Sequence, residues 1–135
     1  MTYLIDSNVF RDLMDEHPKA AQRLAAAIAT QSVAVSVIVR GEVLFGIERL
    51  PAGRRRDTLS LKADRLFSAL AEEPVPYMAA VHYSRIKRGR ERTGSPMDEN
   101  DLWIAATALA LGATLVTRDA DFRNTPGLVV EDWTS

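Results

Sequence analysis

The chain has 135 residues, of which 47% are hydrophobic and 26% charged, and its formal net charge is −1. This composition predicts one domain with a real core, disfavours a disordered chain, and gives no overall charge signal for nucleic-acid binding. The chain has no cysteine, which excludes disulfide bonds, thiolate nucleophiles and Cys-type zinc sites.

The N-terminal segment MTYLIDSNVF lacks the basic start and the long apolar stretch of a signal peptide. No apolar run reaches the roughly 18 residues that a membrane span requires. Together with the absence of cysteine, these features predict a cytoplasmic protein without a membrane partner.

Short apolar runs alternate with amphipathic segments along the chain. Predicted strands occupy residues 2–5, 32–37, 114–117 and 128–131. Predicted helices occupy residues 9–14, 18–30, 39–50, 54–71, 77–92 and 98–111. The alternation predicts an α/β fold, with a short central parallel sheet flanked by helices on both faces, in a single domain over residues 1–135.

Four acidic residues are predicted to meet at one edge of this sheet. Asp6 directly follows the first strand, and Asp119 lies just beyond the strand 114–117. Glu42 lies in the first turns of the helix after the second strand, and Asp101 lies in the first turn of the helix 98–111. We expect these side chains to converge, because functional groups of open parallel sheets gather beyond the carboxyl ends of the strands.

The acidic segment MDENDL, residues 97–102, admits two explanations. Asp98 can be a helix N-cap, and acids in a first turn favour the helix dipole, for about 0.3–2 kcal/mol each. However, two carboxylates about 4 Å apart repel by roughly 4 kcal/mol at an effective dielectric near 20, so a cluster needs protons or a cation. Carboxylate ligands suit Mg²⁺ or Mn²⁺, which activate water in phosphoryl chemistry.

Three segments carry a resemblance to a known family: YLIDSNVF (3–10), VRGEVLFGI (39–47) and DENDLWIAATALALGATLVTRDADF (98–122). In these segments the chain resembles the PIN-domain ribonucleases, and most closely the VapC-type toxins of bacterial toxin–antitoxin pairs. The resemblance implies a PIN-like fold and an endoribonuclease that depends on Mg²⁺, for which Mn²⁺ can substitute. It also implies that the metal-binding and catalytic acids are Asp6, Glu42, Asp101 and Asp119.

Other polar residues of these segments are expected to support the four acids. Ser7 and Thr117 would orient a carboxylate or a water through their hydroxyl groups. Asp98 and Asp121 are close enough in sequence to be confused with the metal ligands. We interpret Asp98 as an N-cap and Asp121 as a turn or supporting residue.

Substrate and partners follow from the basic residues and from the resemblance. The segment RIKRGRER (85–92) offers candidate phosphate contacts, at Arg85, Lys87, Arg88 and Arg90, although a solvated helix face explains it equally well. Arg40 is expected either to pair with an acid of the site or to face RNA. The resemblance implies a cognate antitoxin that blocks the site, with helices 39–50 and 54–71 as its candidate groove, and a toxin homodimer.

Two other functions remain open at this point. One is a different phosphoryl-transfer enzyme on an α/β sheet, although DSN (6–8) lacks the second acid of a haloacid-dehalogenase-type phosphatase and no late strand ends in the lysine of a receiver domain. The other is a non-catalytic RNA-binding module that arrests translation and whose acids merely cap helices. A requirement for Mg²⁺ or Mn²⁺ separates the nuclease from the binding module.

Overall fold

The computed structural model describes all residues, 1–135, and contains one parallel five-stranded sheet in the order β3-β2-β1-β4-β5. The strands are β1 (Thr2–Ile5), β2 (Ser32–Ser36), β3 (Ala71–Glu73), β4 (Thr114–Val116) and β5 (Val130–Glu131). The helices are α1 (Ser7–Met14), α2 (Pro18–Thr30), α3 (Val37–Glu48), α4 (Arg54–Ala69), α5 (Ala79–Thr93) and α6 (Glu99–Leu111). A 3₁₀ helix, Ala120–Asn124, follows β4.

Strand β1 is the centre of the sheet and pairs in parallel with β2 on one side and β4 on the other. Its residues Leu4 and Ile5 are fully buried, as expected for a strand covered on both faces. Because all the strands run in one direction, their carboxyl ends lie at one edge. The residues that directly follow β1, β2 and β4 therefore start from neighbouring positions.

Local hydrogen bonding decides where the helices near this edge begin. The Ser36 hydroxyl accepts a 3.2 Å bond from the backbone N–H of Val39, so α3 begins at Val37, two residues earlier than the apolar spacing indicates. Helix α6 ends at Gly112, whose φ of 62° is a left-handed conformation that favours glycine. These caps fix the start of the helix that carries Glu42 and the end of the helix that carries Asp101.

The predicted α/β fold with a short parallel sheet is confirmed, and each predicted strand and helix has a counterpart. Strand β3 is missing from the prediction. Ala71 and Glu72 are exposed and the strand lies at the edge of the sheet, so it has no apolar alternation to reveal it. No helix is both long enough and apolar enough to cross a bilayer.

Candidate active site

Asp6 lies at the carboxyl end of the central strand and is only 3% exposed. Its Oδ1 accepts a 2.8 Å hydrogen bond from the backbone N–H of Ser7, the first residue of α1. Its Oδ2 accepts a 2.7 Å bond from the hydroxyl of Thr117, just beyond β4. Burial is the main cause that raises the pKa of Asp6, and the bonds from Thr117 and Ser7 oppose it.

The Thr117 hydroxyl joins three parts of the site. Besides donating to Asp6, it accepts a 3.1 Å bond from the side-chain amide of Asn8 and a 3.1 Å bond from the backbone N–H of Asp119. A hydroxyl has one hydrogen and two lone pairs, so its bonding capacity is fully used. Thr117 therefore lies where the sequence indicates a supporting hydroxyl, and its hydrogen is committed to Asp6.

Asp119 begins the 3₁₀ helix that follows β4, and its Oδ1 accepts a 3.0 Å bond from the backbone N–H of Asp121. Asp121 is held in turn by Arg90 of α5. One guanidinium nitrogen of Arg90 lies 2.9 Å from Asp121 Oδ1, and the other donates a 2.8 Å bond to the Asp121 carbonyl. The buried Arg90 side chain thus fixes the turn that carries Asp119 through two contacts.

Glu42 lies on α3, and burial is the main cause that raises its pKa. The side chains of Asn100 and Ser7 oppose this rise, whereas the negative charge of Asp6 adds to it. Its Oε1 is buried without a hydrogen-bond partner, although Oε2 has a long 3.5 Å contact with the Asn100 amide. A buried carboxylate oxygen without a partner is costly, so this oxygen is available for a cation.

Asp101, in the first turn of α6, shows that the acids converge. Burial, the largest cause, and the negative charges of four other carboxylates together raise its pKa to about 7; these are the carboxylates of Asp6, Asp98, Glu42 and Asp119. Such mutual influence requires these groups to lie close to one another. The four acids predicted from the sequence are therefore brought together, at the edge of the sheet where we expect them.

The donor set fits a hard divalent cation, but the ligands are not arranged as a closed cage. No group of three or more His, Asp or Glu side chains is already positioned to hold a metal ion. Mg²⁺ commonly keeps several waters and takes only one or two carboxylates directly, so an incomplete shell of acids suits it. The buried Oε1 of Glu42 and the accumulated negative charge at Asp101 are the observations that support this fit.

The structure revises several supporting roles. Asp98 has the backbone position of the α6 N-cap, but its side chain makes no capping bond, and its charge acts on Asp101 instead. Ser7 donates its backbone N–H to Asp6, and its side chain lowers the pKa of Glu42, so its expected support of a carboxylate stays a prediction. The expected pairing of Arg40 with an acid of the site is wrong, because Arg40 pairs with Glu72 at 3.2 Å and lies over the Phe67 ring.

The predicted RNA contacts on α5 are mostly occupied by other interactions. The expectation for Arg90 is wrong, because its side chain is only 7% exposed and pairs with Asp121. Lys87 lies 2.6 Å from Glu99, and Arg88 lies 3.5 Å from Glu91. Arg85 is exposed and remains available. Helix α5 therefore offers less free positive charge than its sequence indicates.

The sequence analysis also missed three residues of the site, Asn8, Arg11 and Asn100. Asn8 bonds to Thr117 and accepts from the backbone N–H of Arg118, and Asn100 contacts Glu42. The positive charge of Arg11 lowers the pKa of both Asp6 and Glu42. Each lies within five residues of a predicted acid, and this proximity is the only signal that could have found them.

The comparisons with known proteins agree with this geometry. A sequence profile of the PIN domain matches residues 3–128. This chain is a PIN-domain protein. It is 29% identical to Ribonuclease VapC1 of Haemophilus influenzae (strain R2866), over 99% of both chains. It is 34% identical over 100 residues to Ribonuclease VapC4 of Mycobacterium tuberculosis, covering 71% of this chain and 73% of that protein.

A solved structure extends the likeness to three dimensions. The chain superposes with a TM-score of 0.90 on a chain of the Rickettsia felis VapBC2 complex bound to a DNA fragment from its promoter. The identity is 27%, and the match covers 98% of this chain and 99% of the other. Within the PIN-domain family, the chain therefore belongs to the VapC group.

Substituting Asp101 tests whether the site stores electrostatic repulsion. The folded-state pKa of Asp101 lies above its unfolded value, so the native state binds more protons and loses stability as pH rises from about 4 to 7. In EDTA at pH 8, Asp101→Asn should raise the melting temperature by a few degrees, for about 1 kcal/mol after allowance for partial exposure. Thermal unfolding at pH 5 and pH 8 measures this, and a variant that melts below wild type at pH 8 would favour a capping role.

Substituting Arg90 tests whether α5 positions Asp119. Arg90→Met should lower the melting temperature and shrink the stabilisation by millimolar Mn²⁺, because the turn carrying Asp119 loses both of its anchors. The matched control is Asp121→Asn. This variant keeps an oxygen acceptor for Arg90, and its backbone N–H still donates a hydrogen bond to Asp119. Equal Mn²⁺ responses in wild type and Arg90→Met, measured by thermal unfolding, would refute the positioning role.

Proposed function

We propose that this chain is a metal-dependent endoribonuclease, in which Asp6, Glu42, Asp101 and Asp119 hold Mg²⁺ or Mn²⁺. The observation that carries the proposal is the convergence of carboxylate charges on Asp101, whose pKa rises to about 7. A cluster of this kind suits a cation, and carboxylate ligands suit the ions used in phosphoryl chemistry. The relatives named ribonucleases support RNA as the substrate.

Individual residues of the proposed site would have different roles. Asp6 is held by Thr117 and by the start of α1, so its carboxylate is oriented before any ligand arrives. Asp101 would carry a proton near neutral pH in the metal-free protein and release it when a cation binds. A bound cation would neutralise the acids, lower the pKa of a water and stabilise charge on the phosphate oxygens.

We also propose that the protein is the toxin of a toxin–antitoxin pair and is inhibited by a cognate antitoxin. Support comes from the VapC relatives and from the similarity to a chain of a VapBC complex. Exposed apolar side chains on α3 and α4 provide a surface for such a partner, namely Val37, Leu44, Phe45 and Leu61. The homodimer and the cytoplasmic location remain predictions.

Metal removal tests the proposed activity directly. Purified, antitoxin-free protein should cleave total RNA with Mg²⁺ or Mn²⁺ and lose this cleavage in excess EDTA, because no covalent nucleophile replaces the cation. Asp6→Asn, purified in parallel, controls for contaminating ribonucleases. RNA cleavage that persists undiminished in EDTA, read by gel and by mapping of the new ends, would eliminate the metal mechanism. Strong Mn²⁺-independent RNA binding without cleavage would favour the non-catalytic module instead.

The four proposed ligands should differ sharply from their neighbour Asp98. Glu42→Gln, Asp101→Asn and Asp119→Asn should each lower the cleavage rate by at least about 10²-fold, since losing one such interaction commonly costs a few kcal/mol of transition-state stabilisation. Asp98→Asn should cost far less, because Asp98 is not among the proposed ligands and its side chain makes no capping bond. Initial rates on one labelled RNA decide the matter, and an inactive Asp98→Asn beside an active Asp101→Asn would reverse the assignment.

A further inference from the structure

A groove beside the acid cluster is lined by three arginines, Arg11, Arg49 and Arg55, and is here called the arginine groove. It has a volume of about 330 Å³, lies between α1, α3 and α4, and has Glu42 at its wall. Its floor is apolar and includes Val43, Ile47 and Leu59. A second cavity, which reaches Asn100, shares Arg11, Glu42, Gly46 and Arg49 with it.

None of the three arginines of the groove forms an ion pair, although Arg11 donates a 3.3 Å bond to the Ser7 carbonyl and its charge acts on Asp6 and Glu42. The ion pairs of the structure use seven other cations, those of Arg23, Arg40, Arg56, Lys87, Arg88, Arg90 and Arg118. Arg49 lies over the exposed Phe45 ring, at 5.4 Å. Two acids also line the groove, Glu42 of the active site and Asp15, so three positive charges face two negative ones.

We propose that the arginine groove binds a nucleotide of single-stranded RNA next to the cleaved bond, with its phosphate on the arginines and its base over the apolar floor. This assignment rests on the proposed endoribonuclease function. An endonuclease cuts inside a polymer, so the substrate must continue past the acids on both sides. Guanidinium groups bind phosphates and stack on bases, and the exposed Phe45 ring beside Arg49 adds an aromatic surface next to the groove.

The same features favour RNA over a protein partner at this position. Glu42, one of the four proposed ligands, lines the groove, so an occupant would lie next to an acid of the site. By contrast, the apolar residues Leu44 and Leu61 are exposed and do not line it. On α5, the alternative basic surface, Lys87, Arg88 and Arg90 are already paired. Arg85 of α5 remains free, but the arginines of the groove line the same cavity as Glu42, which places free positive charge beside one of the acids.

Filling the groove without disturbing the fold is the sharpest test. A Cβ at Gly46 meets no atom within 4 Å, and the same holds for Gly89 on α5, which does not line the groove. Both glycines are exposed and helical, so leucine at either position should leave the melting temperature unchanged or raise it by about 4 °C. Gly46→Leu should raise KM for a fluorescein-labelled single-stranded RNA 12-mer in Mn²⁺ by about 10-fold with kcat little changed, and Gly89→Leu should not.

Charge removal gives an independent readout. The double variant Arg49→Gln/Arg55→Gln should flatten the dependence of log(kcat/KM) on log[salt] by about 1.4, at roughly 0.7 per single-strand phosphate contact. The control is Arg54→Gln/Arg65→Gln, which removes two exposed arginines of α4 that lie outside the groove and form none of the ion pairs. This control should keep the wild-type slope.

The outcomes separate the two proposals. If the wild type cleaves no RNA in Mn²⁺, the proposed function fails, and RNA affinity measured by anisotropy in EDTA then decides on the groove. If the wild type cleaves but Gly46→Leu and the double arginine variant keep its KM and salt slope, the groove assignment alone is overturned. A Gly46→Leu protein with wild-type KM that no longer binds its antitoxin would assign the groove to the protein partner and also overturn the proposal.

Discussion

The hydrogen bond between the Thr117 hydroxyl and Asp6 ties the site to the sheet. It joins the residue after β1 to the residue after β4, so the two neighbouring strand ends share one polar group. The same hydroxyl accepts a hydrogen bond from the backbone N–H of Asp119, which fixes the position of Asp119 relative to Asp6. A buried carboxylate is tolerated here because its charge is solvated by fixed donors instead of water.

The convergence of partly buried acids destabilises the protein when these acids are ionised. Burial raises the pKa of Asp6, Glu42 and Asp101, so each of these groups is less easily ionised than an exposed acid. Helix capping accounts for only part of the negative charge in the first turn of α6, because the Asp98 side chain caps nothing. The core of the sheet, with Leu4, Ile5 and Leu115 fully buried, provides the stability that lets the acids remain together.

Ion pairing decides which basic side chains remain free at the protein surface. Helix α5 is the most basic segment in the sequence, yet its Arg90 is buried and serves to anchor the turn before Phe122. Arg11, which stands alone in sequence, lies beside Glu42 and influences two acids. A local count of arginines is therefore a poor guide to the surface that meets an anionic polymer, because ion pairing removes some of them.

The sequence by itself determined the fold class, and it predicted which four acids meet at one edge of the sheet. Apolar runs and helical spacing are local signals, and the position of an acid at or just beyond the end of a strand is enough to place Asp6 and Asp119 at one edge of a parallel sheet. Only the tertiary structure decided the contacts that surround these acids. The contacts of Asn8 with Arg118, of Asn100 with Glu42 and of Arg90 with Asp121 join residues that are 31 to 110 positions apart in sequence. The sequence analysis missed the edge strand β3 for a related reason. Its pairing with β2 makes it a strand, whereas its own residues have no apolar pattern.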